Sequence, residues 1–162
     1  MNIKSYIDLR NDVRVASVSL GYMRVTLFPE SELMEAQVGY SVSDSGEPFT
    51  GEVEGDWKTS WLVIGYEDLC GGPIFVDLAK PEFPVFTAEH GEGDWSPEMI
   101  ASSFQGFAQS LEAVKRLSEG REDPVKLELN PVSPAERDRV LCTIAELNKT
   151  STLKFWENWI PS

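Results

Sequence analysis

Between residues 37 and 88 the chain repeatedly breaks into short apolar runs separated by glycine, proline and small polar residues. Beyond residue 96 the breaks thin out and apolar residues recur every three or four positions. That order, strands first and helices after, fits an α+β domain with helices on one face of a sheet rather than a chain of βαβ units. Gln37-Val38-Gly39-Tyr40-Ser41-Val42 alternates polar and apolar residues, as a strand with one wet face does, and the turn formers of 43–48 predict a reversal after it. The runs 61–65 and 74–78 flank a turn at Cys70-Gly71-Gly72-Pro73. A third strand, 84–88, opens on a proline, which is tolerated only at a strand end or edge. Strands this close, with turns between them, predict an antiparallel meander.

Ser96-Pro97-Glu98 carries a helix N-cap, a proline for the first helical position and an acid for the first turn. Ile100, Phe104, Phe107, Leu111, Val114 and Leu117 follow in steps of four and three, one buried stripe, with Gly120 placed to end the helix. Ser133-Pro134 opens a second helix carrying Val140, Leu141, Ile144 and Leu147, and Leu153, Trp156, Trp159 and Ile160 predict a last short amphipathic turn. With 162 residues, no repeats and no linker, the chain reads as one domain over 1–162.

The formal charge is −13, and it is unevenly placed. Residues 27–98 hold 16 acids against Lys58 and Lys80, whereas residues 99–162 are nearly balanced. An excess of anions leaves no counterion release to drive binding to a phosphate backbone, so nucleic acid is not an expected partner. The natural partner of such a surface is basic. Cys70 and Cys142 are too few and too far apart for a disulfide framework or a CxxC site, and read as reduced, half-buried thiols. Without a signal-like apolar segment or a membrane-length apolar stretch, the expected compartment is the cytosol.

The only histidine, His90, lies among Glu89, Glu92 and Asp94. One imidazole leaves carboxylates as the remaining ligands, short of the set zinc prefers, and EF-hand spacing is absent, so neither metal nor cofactor is expected. No GxSxG elbow or phosphate-binding glycine loop occurs, and 27 acids make close carboxylate pairs a chance event rather than a catalytic sign. A metal-assisted hydrolase centred on His90 therefore stands only as the alternative to a non-enzymatic module.

What stands out is acid interleaved with tryptophan. Glu52, Glu54 and Asp56 precede Trp57 and Trp61, and Glu92 and Asp94 precede Trp95. Carboxylates around an aromatic anchor would steer a basic protein and pair with its arginines and lysines. The candidate partner-binding residues are Glu52, Glu54, Asp56, Trp57, Glu89, His90, Glu92 and Asp94. The tryptophans can equally be core residues beside polar turns.

Trp61-Leu62-Val63-Ile64-Gly65, Gly71-Gly72-Pro73-Ile74-Phe75-Val76-Asp77-Leu78, Pro84-Val85-Phe86, His90-Gly91-x-Gly93-x-Trp95-x-Pro97 and Ile100-Ala101-x-Ser103-Phe104-x-x-Phe107 together resemble the SUKH superfamily. This group includes yeast cell-wall-synthesis regulators and many small bacterial proteins. The resemblance spans about residues 35–112, leaving 121–162 as a helical extension. It implies an α+β fold and, in bacteria, an immunity protein that binds and neutralises a toxin, often a nuclease. The relatives among eukaryotic regulators imply a scaffold without a toxin as a further possibility.

Overall fold

Each step between neighbouring strands is an antiparallel pairing, so the sheet follows chain order. It comprises β1 Ser17–Leu20, β2 Met23–Leu27, β3 Trp61–Glu67, β4 Pro73–Asp77, β5 Val85–Gly91 and β6 Asp94–Ala101. The structure is a computed structural model and describes residues 2–149 and 153–162. Its helices are α1 Ile3–Asn11, α2 Glu30–Leu33, α3 Phe104–Ser118, α4 Pro124–Leu129, α5 Pro134–Asn148 and α6 Lys154–Trp159. This is the expected α+β arrangement. Helix α3 starts directly after β6 and also packs on β1. Its 15 residues, at 1.5 Å each, cover about 22 Å, close to the width of six strands spaced about 4.8 Å apart.

The helix side of the sheet buries Ile64, Ile74, Val76 and Val85 against Phe104, Phe107, Leu111, Val114 and Trp156. Both indole N–H groups of α6 are used to fix it: Trp156 donates to the Ile100 carbonyl at 2.8 Å and Trp159 to that of Met23 at 3.1 Å. Arg121, just past α3, donates to the carbonyls of Leu117 and Asn130 and forms an ion pair with Glu136 at 3.0 Å, tying the end of α3 to the start of α5. Helix α5 begins as expected, with Ser133 and Glu136 completing a reciprocal capping box behind Pro134.

The opposite side is aromatic. Trp57, Val63, Phe75 and Ala88 are buried there, with Phe28, Tyr40, Trp61, Phe86 and Trp95 packed around them. It is roofed by the largely irregular segment between β2 and β3. Part of that roof was expected to be a strand at 37–42; instead Glu35–Gln37 is a 3-10 turn and Gly39, at φ +88°, turns the chain away. The Gln37 side chain takes over the pairing. Its amide accepts from the Val63 N–H at 2.9 Å and donates to the Val63 and Leu33 carbonyls at 2.8 Å, occupying β3 where β2 has already ended.

A second correction concerns 96–101. These residues belong to β6, and the helix begins only at Phe104, capped by Ser103. Glu92 and Gly93 have φ of +54° and +91°, the two positive values of a type I′ hairpin turn, so the chain reverses and 94–101 pair with β5. Pro97 is tolerated because β6 is an edge strand. Ile100 keeps its core role from a strand rather than from the helix stripe. Two strands and a helix before residue 28 extend the sheet beyond the expected meander. Both cysteines are exposed rather than half-buried, since Cys70 sits in the β3–β4 turn and Cys142 on the outer side of α5.

Candidate functional site

The two acid-and-tryptophan segments, more than 30 residues apart in sequence, meet in space. The loop before Trp57 is closed on itself: Gly51 donates to the Trp57 carbonyl at 3.0 Å, and Asp56 accepts the Val53 N–H at 2.9 Å. Lys58, the one base of this stretch, donates to the Val53 carbonyl. The closed loop is then pinned to the β5–β6 hairpin, where Trp95 donates its backbone N–H to the Gly55 carbonyl at 2.8 Å. Contact there is tight, since a Cβ at Gly55 would lie 2.7 Å from the Asp94 carboxyl group.

Glu52, Glu54, Glu89, His90, Glu92 and Asp94 are exposed, and Asp56 is half-buried with its carboxylate turned back to its own loop. Trp57 cannot be the exposed anchor expected of it. It is 1% exposed, with its ring centroid 4.7 Å from Phe75, 5.1 Å from Trp95, 5.2 Å from Tyr40 and 5.3 Å from Trp61, and its N–H donates to the Trp61 carbonyl at 3.3 Å. An indole that can bury its ring and still satisfy its one donor is stable inside. Trp57 is therefore a pillar that supports the acidic loop from below. The outward aromatic is His90, stacked on Trp95 with centroids 4.1 Å apart and planes within 8°.

Beside this surface lies a groove of about 880 Å³ bounded by the β3–β4 turn, the ends of β5 and β6, and α6. Three of its carboxylates do different work. Glu67, only 7% exposed, accepts the N–H groups of Leu69, Cys70 and Gly72 at 2.8, 3.0 and 2.7 Å and so shapes the turn. Glu98 faces Lys154 at 3.6 Å, while Glu89 is exposed. Glu67, Glu98, Lys154 and Tyr40 carried no sequence signal, because what selects them is the packing of α6 and of the roof. Among the described residues no three His, Cys, Asp or Glu side chains are grouped to hold a metal ion, and no helix is long and apolar enough to cross a membrane.

No family model, curated protein or solved structure matches the chain.

Proposed function

We propose that the protein is a non-enzymatic binding module that masks a basic surface of another protein, acting as an immunity protein toward a basic toxin such as a nuclease. The observation that carries the binding reading is the convergence of 52–56 and 89–94: two acidic segments, held together through the Gly55–Trp95 bond, form one anionic surface over a rigid aromatic floor. Preorganisation matters because a fixed loop spends little of its interaction energy on ordering. Exposed carboxylates at its rim raise the encounter rate with a cationic partner. The immunity role adds the resemblance of residues 35–112 to the SUKH superfamily.

The test compares the wild-type chain with Glu52→Gln/Glu54→Gln/Glu92→Gln/Asp94→Asn as baits in lysate of the native cell at low salt, with captured proteins identified by mass. A basic protein retained by the wild type and lost from the variant is expected. Its association rate with the wild type should fall steeply with added salt, and its toxic or nuclease activity should be blocked at equimolar ratio. Equal capture and equal association rates for both baits overturn the electrostatic reading, and an unimpaired activity of the captured partner overturns the immunity role.

A further inference from the structure

We infer that a gap beside β5 is a strand-addition site for a short, extended, basic segment of the partner, an inference that rests on the binding reading above and specifies its geometry. Gly91 and Asp94 flank the two-residue turn as the hydrogen-bonded pair of the hairpin, so His90 and Trp95 form the next, non-bonded pair, with their backbone N–H and C=O groups directed outward. Trp95 uses its outward N–H on Gly55. His90 looks the other way, along the line of β4, but the pairing of β4 with β5 stops at Ile74–Thr87. The chain ahead of β4 is drawn aside because Glu67 gathers the N–H groups of Leu69, Cys70 and Gly72. Among the described residues, nothing in that turn hydrogen-bonds the His90 backbone. One strand position therefore stands open next to β5, and it opens into the groove of about 880 Å³.

The side chains around the gap say what would fill it. A strand laid against 88–91 sends successive side chains to opposite faces. On the helix face they meet Glu89, with Glu98 on the neighbouring strand, and Lys154 of the groove is already opposite Glu98 at 3.6 Å. On the other face they meet His90 stacked on Trp95, with Tyr40 5.5 Å from Trp95. The fitting segment alternates basic with aliphatic or aromatic residues. Its apolar residue lies directly opposite His90 and exchanges main-chain hydrogen bonds with it.

The probe is a capped hexapeptide alternating arginine and valine, in three forms: unmodified, N-methylated at the valines, and N-methylated at the arginines. Binding to the full-length 15N-labelled protein is followed at low salt by amide shifts and tryptophan fluorescence. The unmodified peptide should shift the His90 amide, and Glu89→Gln/Glu98→Gln should weaken it. Methylation at the valines, whose N–H groups face β5, should weaken binding about tenfold or more, and methylation at the arginines should not. Equal binding of the two methylated forms overturns strand addition. If the peptide then still binds and the Glu52→Gln/Glu54→Gln/Glu92→Gln/Asp94→Asn variant loses it, the acidic-surface reading survives alone; if the unmodified peptide does not bind at all, strand addition falls, and the acidic-surface reading stands or falls on the bait comparison.

Discussion

Replacing Gln37 by alanine tests whether a single side chain holds the irregular roof onto the sheet. Gln37 is 5% exposed and Val63, which it serves, is 2% exposed, so water has little access to either. The substitution removes one accepted and two donated hydrogen bonds, each worth about 0.5–1.5 kcal/mol net. It also leaves the Val63 N–H and C=O buried without partners, at about 1–3 kcal/mol each where the roof does not relax. These two descriptions overlap, because the same groups appear in both, and together they place the loss at about 3–5 kcal/mol. That is a large share of the roughly 5–15 kcal/mol that separates folded from unfolded domains. Urea unfolding reads it as a lower midpoint at unchanged slope. Gln37→Glu keeps an acceptor for the Val63 N–H but puts an anion against two carbonyls, so it should cost at least as much at neutral pH. Gln37→Met keeps the length and loses all three bonds, and should behave like the alanine. A Gln37→Ala loss below about 1 kcal/mol would refute the argument, since it would mean that the Val63 groups find other partners easily.

Three more expectations follow from the same geometry. A Cβ at Gly65 would collide with the Thr26 carbonyl oxygen, backbone that cannot swing aside at the β3 bulge, so Gly65→Ala should cost at least about 2 kcal/mol in urea unfolding; a neutral result would mean that the bulge can shift register. Trp57→Ala should cost about 3–5 kcal/mol and weaken near-ultraviolet circular dichroism, and a small loss would contradict its place as the pillar of the acidic loop. Glu136 is held down to about 2, first by the Ser133 backbone N–H and then by Arg121. A carboxyl with a lowered folded value stabilises fully above its ordinary value of 4.5, and that contribution fades as pH falls toward 2. The melting-temperature gap between wild type and Glu136→Gln should therefore shrink from pH 5 to pH 2, and a constant gap would count against the ionised carboxylate, held by Ser133 and Arg121, as its source.

Local signals in the sequence were legible where one turn of chain decides the outcome. Ser133, Pro134 and Glu136 specify the start of α5 through contacts no more than three residues apart. Ser96-Pro97-Glu98 has the same composition and means something else, because the decision belongs to Glu92 and Gly93. A glutamate at φ +54° is not an evident turn former, yet once the chain reverses there the following residues must pair with β5. The alternation at 37–42 misled for a different reason: the strand-like hydrogen bonds exist, but a side-chain amide makes them. Val18, Leu20, Met23, Val25 and Leu27 do alternate about Gly21-Tyr22, so β1 and β2 were within reach of the same pattern argument. In the candidate site, the acids and the aromatics were visible individually. Their adjacency was not, since it depends on one backbone bond between Gly55 and Trp95.

The outer rim of β6 bears on how the protein behaves when crowded. An open strand edge is a template on which a second copy can build, and sheets that expose one tend to polymerise. Here two successive outward positions are closed by unlike means, since the Trp95 N–H is spent on Gly55 and Pro97 has no N–H to offer; farther along, at the bulge, the Ile100 carbonyl is taken by Trp156. At the far side, β1 is only four residues long and the Arg121–Glu122 backbone lies against its end, accepting from Gly21 and Ser19. The molecule can thus keep a recessed notch for a foreign strand while denying its own copies a long edge to copy, so loosening the last helix should show first as fibre formation rather than as loss of fold.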